Sequence, residues 1–146
     1  GERVIFPRNT SLGIGKAHIL RPGEKILLLG GGPILSEALT AFDILKNKNI
    51  DLQIASVGSV KPLDTLFLEQ MASQNFQHWI TFEEHHKSGG IGSAILEWAT
   101  DNNIKFNSFT RIGVNDHFIH RLGNQNFTRV HEGIDSNNLV KIVESL

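Results

Sequence analysis

The stretch Phe82–Ile95, FEEHHKSGGIGSAI, sets two carboxylates (Glu83, Glu84), two imidazoles (His85, His86) and a glycine pair (Gly89, Gly90) against an apolar helix start. Such side chains are the material of acid–base catalysis, of a metal site or of a phosphate cradle. Each of those needs convergence. A metal needs several donors aimed at one point, whereas adjacent His85 and His86 point apart if their strand simply continues. No second cluster completes a coordination sphere. The chain also lacks cysteine, which removes thiolate ligands, a cysteine nucleophile and disulfides. Ser88 and Ser93 lack the strained, glycine-flanked elbow of a hydrolase serine. A structural reading remains: Gly89 and Gly90 turn the chain into the helix, and Glu83 or Glu84 accepts that helix's free N–H groups. The histidines are then partly solvated and available to a neighbouring domain.

A second candidate is GGGP, with Gly30, Gly31 and Gly32 after an apolar run. Backbone N–H groups at a helix start there would suit an anion. The stretch lacks the third glycine of the dinucleotide fingerprint, where Leu35 stands, and no Lys-Ser/Thr pair follows as in a Walker loop. A tight turn explains it better than an anion does.

The elements that must position these residues follow from periodicity. KILLLG, DLQIASVG, HWITF and KFNSFTRIGV read as strands, and a short strand-like run lies within GKAHILRPGE. PILSEALTAFDILKNK places Leu35, Ala38, Leu39, Phe42 and Leu45 on one helical stripe, with Pro33 in its first turn. DTLFLEQMAS is a second helix, capped by Asp64 and stapled by Leu63 and Leu68. IGSAILEWAT buries Ile91, Ala94, Ile95, Trp98 and Ala99. SNNLVKIVESL, capped by Ser136, buries Leu139, Ile142, Val143 and Leu146. Strands alternating with helices predict a largely parallel sheet covered on both faces, an α/β domain of three layers. The polar loops then gather beyond the strands' carboxyl ends, where open α/β sheets bind ligands.

The 146 residues suit one domain, and a formal charge of −1 gives no broad basic field to attract nucleic acid. No apolar run reaches membrane-spanning length, so no membrane partner is expected. The absence of cysteine suits a cytoplasmic location. Val4–Arg8 read as the end of a preceding domain.

Three segments together, GKAHILRPGEKILLLGGGPILSEALTAFDIL, VGSVKPLD and TFEEHHKSGGIGSAILEW, resemble the carboxyl-terminal domain of the transketolase family. That group includes transketolase, 1-deoxy-D-xylulose-5-phosphate synthase and the β subunits of 2-oxoacid dehydrogenases. The tail RIGVNDHFIHRLGNQNFTRVHEGIDSNNLVKIV is similar to the family's ending, and nearer to transketolase than to the dehydrogenases. The resemblance implies a mixed five-stranded sheet, with residues 1–22 ending a pyrimidine-binding domain and its linker and 23–146 forming the third domain. It implies a parent enzyme that transfers a ketol unit between sugar phosphates, with thiamine diphosphate and Mg²⁺ bound outside this domain. The parent is expected to be a homodimer, or a heterotetramer if split between two chains. The third domain serves assembly and stabilisation, so the resemblance implies no catalytic residue and no metal ligand here. By the same resemblance, Arg8 in IFPRN matches an arginine that contacts substrate phosphate, while Glu83, Glu84, His85, His86, Gly89 and Gly90 form a structural corner and interface. Two other readings stand beside this one: an independent small-anion or nucleotide module acting through Gly30–Gly32, and the third domain of a dehydrogenase β subunit.

Overall fold

A computed structural model describes residues 3–118 and 123–146. Five strands form one mixed sheet in the order β1-β3-β2-β4-β5: β1 Ala17–Arg21, β2 Ile26–Gly30, β3 Leu52–Val57, β4 His78–His86 and β5 Phe109–Val114. Strands β3, β2, β4 and β5 are parallel, while β1 runs antiparallel along β3, with Ala17 opposite Val57. The expected α/β class and mixed five-stranded sheet are therefore present. The segment set apart as residues 1–22 contributes β1 to this sheet, and Ile5 packs against its core.

Among the described residues five helices cover the sheet: α1 Leu35–Asn47, α2 Thr65–Ser73, α3 Ile91–Asp101, α4 Gln125–Glu132 and α5 Ser136–Glu144. The two-residue repeat of the strands divides the core. Leu28 of β2 faces Leu35, Leu39, Leu139 and Val143 of α1 and α5; Leu27 and Leu29 face Leu68, Met71, Ile95 and Trp98 of α2 and α3. Both faces are thus dry, which is why β2 reads as an unbroken apolar run.

The helix starts show what chemistry fixes them. Asp64 caps α2 by accepting the Phe67 N–H at 3.2 Å, and it also accepts the Ala17 N–H at 2.9 Å, tying α2 to the start of β1. Leu63 and Leu68 both pack into the α2/α3 core, as the staple requires. At α5 the cap is Asp135, not Ser136: its carboxylate accepts the Asn137 and Asn138 N–H groups, while the Ser136 N–H donates to Glu37. Leu146 is exposed, because α5 ends at Glu144. Pro33 lies in a turn ahead of α1 rather than within its first turn.

Helix α4 was not evident from apolar periodicity. Its only buried residue is Arg129, while Phe127 and Val130 face outward. Asn124 caps it, accepting the Phe127 N–H at 2.9 Å, and Gly133 closes it at φ 68°.

Candidate functional site

Strand β4 carries the polar cluster past the sheet's edge. Glu83 is 3% exposed, and its Oε1 accepts the N–H of Gly92 in the first turn of α3. Its Oε2 is buried without a hydrogen-bond partner, with His85 Nε2 3.5 Å away. Burial pushes the Glu83 carboxyl upward from its ordinary range, opposed by the Gly92 N–H and by the nearby charges of His85 and Arg111. Gly89 turns the chain at φ 80°. At Gly90 a Cβ would stand 1.9 Å from Glu83 Oε2 and 2.2 Å from His85 Cε1, so a larger residue there would have to displace one of those side chains. Arg111 of β5 fastens the corner from outside, its Nη1 donating to the Lys87 carbonyl at 3.2 Å.

The next residue points to the opposite face, as the strand period dictates. Glu84 accepts from Arg129 Nε at 2.7 Å and Nη2 at 2.9 Å, a two-point contact between a carboxylate and a guanidinium that is 3% exposed. Gln125 adds a third donor at 2.9 Å. Burial opposes ionisation of Glu84, but the bonds from Arg129 and Gln125 outweigh it and hold its pKa below the ordinary value. Glu37 completes the group: one oxygen lies 3.5 Å from Arg129 Nη1, and the other accepts the Ser136 N–H at 2.9 Å. A polar cleft of about 460 Å³, lined by Arg3, Glu37, Thr40, Asn124, Gln125 and Arg129 among others, opens beside it.

The glycines Gly30 to Gly32 border this cluster, and Arg8 is exposed. Gly30 is buried, and a Cβ on it would meet the Phe82 carbonyl at 2.9 Å. Gly31 is similarly confined by Ile91 Cδ1 and the Val57 carbonyl, and Gly32 turns at φ 76°. The Leu35, Ser36 and Glu37 N–H groups at the start of α1 donate to the carbonyls of Gly32, Pro33 and Ile34. Those N–H groups are therefore engaged within the turn. Arg8 is exposed and makes no side-chain hydrogen bond among the described residues. Part of the tail similar to the family's ending, residues 119–122, lies outside the described residues.

Three polar groupings had no clear sequence signal. Glu84, Arg129 and Glu37 are joined across separations that only the fold reveals. Beside α4, Glu132 lies between His117 Nε2 at 3.1 Å and His131 Nδ1 at 2.9 Å. His78 Nε2 meets Thr110 Oγ1 at 2.8 Å, but at the opposite end of β4, and burial lowers the pKa of that imidazole. Among the described residues, no group of three His, Asp or Glu side chains could hold a metal ion. Among the described residues the donor set therefore does not fit a Mg²⁺ ion, and no step is drawn through one on these side chains.

A three-layer α/β domain with one reversed edge strand, and with the polar residues at its strand ends bound to its own helices, defines the class. The sequence profile described as "Transketolase, C-terminal domain" matches residues 15–121, and the chain belongs to that family. It is 32% identical over 134 residues to a 1-deoxy-D-xylulose-5-phosphate synthase of Vibrio parahaemolyticus, covering 92% of this chain and 20% of that protein. It is also 32% identical over 128 residues to a "Putative transketolase C-terminal section" of Methanocaldococcus jannaschii, covering 88% of this chain and 39% of that protein. A solved structure described as "Split gene transketolase, inactive beta4 tetramer" superposes with a TM-score of 0.84 at 25% identity, covering 99% of this chain and 45% of that one. The chain thus spans from a fifth to less than half of these proteins' lengths. No helix among the described residues is long and apolar enough to cross a membrane.

Proposed function

We propose that this chain is the assembly and stabilising domain of a thiamine diphosphate-dependent enzyme of the transketolase or deoxyxylulose-phosphate synthase type. The parent transfers a ketol unit between sugar phosphates in the cytoplasm, and this domain is not catalytic alone. One observation supports the reading above others: the acidic residues at the strand ends are committed inward. Glu83 holds the start of α3, Glu84 holds Arg129, and Glu37 holds the start of α5. Side chains engaged in this way fix loops rather than meet a substrate. Thiamine diphosphate and Mg²⁺ bind in upstream domains, and residues 3–16 form the tie from them. Arg8 on that tie reaches the substrate phosphate in the intact enzyme, where a guanidinium's planar donors suit paired oxygens.

The functional assembly is a homodimer, or a heterotetramer if the parent is split. His85, His86 and Lys87, exposed or half-exposed beside the glycine turn, supply contacts. The decisive experiment has two arms. Calorimetric titration of the 146-residue chain with thiamine diphosphate and Mg²⁺ is expected to show no binding; micromolar binding overturns the proposal. Adding the chain to a polypeptide carrying the two upstream domains is expected to restore ketol transfer, and failure to restore it removes the assembly role.

A further inference from the structure

The hydrogen count at the β4–α3 corner is fixed by its geometry. His85 Nδ1 lies 2.8 Å from the His86 carbonyl oxygen. A carbonyl only accepts, so Nδ1 carries the hydrogen, and in the neutral ring Nε2 is a bare lone pair. That nitrogen faces Glu83 Oε2 at 3.5 Å, and Oε2 is buried without a hydrogen-bond donor. Carboxylate and neutral imidazole would present lone pair to lone pair, with the carboxylate oxygen buried on one side and the ring half-exposed on the other. A single proton between them removes the conflict, whichever atom holds it.

We propose that Glu83 and His85 form a pair that binds one shared proton, and that this proton latches the Lys87–Gly90 turn onto the start of α3. The same carboxylate holds the Gly92 N–H through its other oxygen, so the proton and the helix start are joined through one group. The ring is 54% exposed, which gives solvent a route to the pair. Other groups facing the pair are known. Arg111 of β5 contributes a positive field that opposes retention of the proton, Lys87 sits on the turn itself, and α3 brings the uncharged Gly92 N–H and Ser93 hydroxyl. Burial of Glu83 acts against the Arg111 field, because the charged carboxylate is the costly form. With the proton gone, the imidazole and carboxylate repel, and the turn loses its inner fastening.

The test is a nuclear magnetic resonance titration of the isotope-labelled 146-residue chain from about pH 4 to about pH 8, the range spanning carboxyl and imidazole ionisation. The neutral ring is expected as the Nδ1–H tautomer. The Glu83 carboxyl carbon and His85 Nε2 are expected to shift together with the Gly92 amide in one step. Glu83→Gln keeps an acceptor for Gly92 and is expected to lose that step. His85→Ala removes a half-exposed ring and is expected to move the Glu83 step to a different pH. A Gly92 amide that stays flat in the wild type overturns the proposal, as does a neutral ring protonated at Nε2. If Glu83→Gln does not fold, the His85→Ala arm decides, and an unmoved Glu83 step overturns the latch.

Discussion

Arg129 and Glu84 meet through two hydrogen bonds, 2.7 and 2.9 Å, although 45 residues separate them, and Arg129 is the buried residue of an otherwise solvent-facing helix. The pair anchors α4 to the end of β4. Arg129→Met leaves the Glu84 carboxylate partly buried without its main donor and is expected to cost about 3–5 kcal/mol. Replacing both, Arg129→Met with Glu84→Leu, is expected to cost less, since the Glu84 charge is gone and only the longer Glu37 contact is lost unmatched. Urea denaturation of the two variants measures this, and equal losses in the single and double variants would contradict it.

The two adjacent glutamates should respond to pH with opposite sign. The pKa of Glu84 is lowered on folding, so its stabilisation is complete above about pH 4.5 and lost as pH falls through the folded value. The pKa of Glu83 is raised, so its contribution to stability declines as pH climbs from about 4.5 through the folded value. The stability of Glu83→Gln relative to wild type is therefore expected to rise with pH in that window. For Glu84→Gln it is expected to fall as pH climbs from the folded value toward 4.5. Denaturation midpoints at several pH values decide, and parallel trends in the two variants would contradict the assignment.

Glycine substitutions at the corner separate crowding from backbone strain. Gly89→Ala meets open space and bears only the left-handed backbone cost, about 1–2 kcal/mol. Gly90→Ala has ordinary backbone freedom, but its Cβ would drive into Glu83 and His85, so it is expected to be the more damaging. Thermal unfolding of the two variants ranks them, and a milder Gly90→Ala would show that the glutamate can step aside.

Asp64→Ala removes both the cap of α2 and the acceptor for the Ala17 N–H, an expected loss of about 1–2 kcal/mol. Burial opposes ionisation of Asp64, but the N–H bonds from Ala17 and Phe67 hold its pKa below 3.8. The contribution is therefore present above that pH and lost as pH falls through the folded value. Amide exchange at Ala17 is expected to quicken in the variant; unchanged protection would break the proposed tie between β1 and α2.

The fold was legible where burial is periodic. Leu27, Leu28 and Leu29 announce a strand dry on both faces, and Leu35, Leu39 and Leu45 announce a helix with one dry stripe. Helix α4 was not, because tertiary pairing rather than apolar patterning holds it: its inward residue is an arginine and its outward residues include Phe127 and Val130. Its local marks, Asn124 before it and Gly133 after it, were present but lacked an apolar stripe between them. In the corner, residue types and glycines suggested a carboxylate at a helix start, but only the fold shows that Glu83 takes that part. Adjacent strand residues face opposite ways, and each glutamate found a different partner. Ser136 was mistaken for the α5 cap because Asp135, one residue earlier, offers the same chemistry with a stronger acceptor.

The reversed direction of β1 has a mechanical consequence. Because Ala17 stands opposite Val57, the chain enters the sheet at the rim that carries the polar loops. A parallel β1 would have entered at the far rim, a strand length of about 17 Å away. The first backbone N–H of that strand is held by Asp64, which also holds the first turn of α2. A pull on the chain just ahead of Ala17 therefore loads that carboxylate before the rest of the ladder and is passed at once to α2. The edge strand works as a lever whose fulcrum is one aspartate.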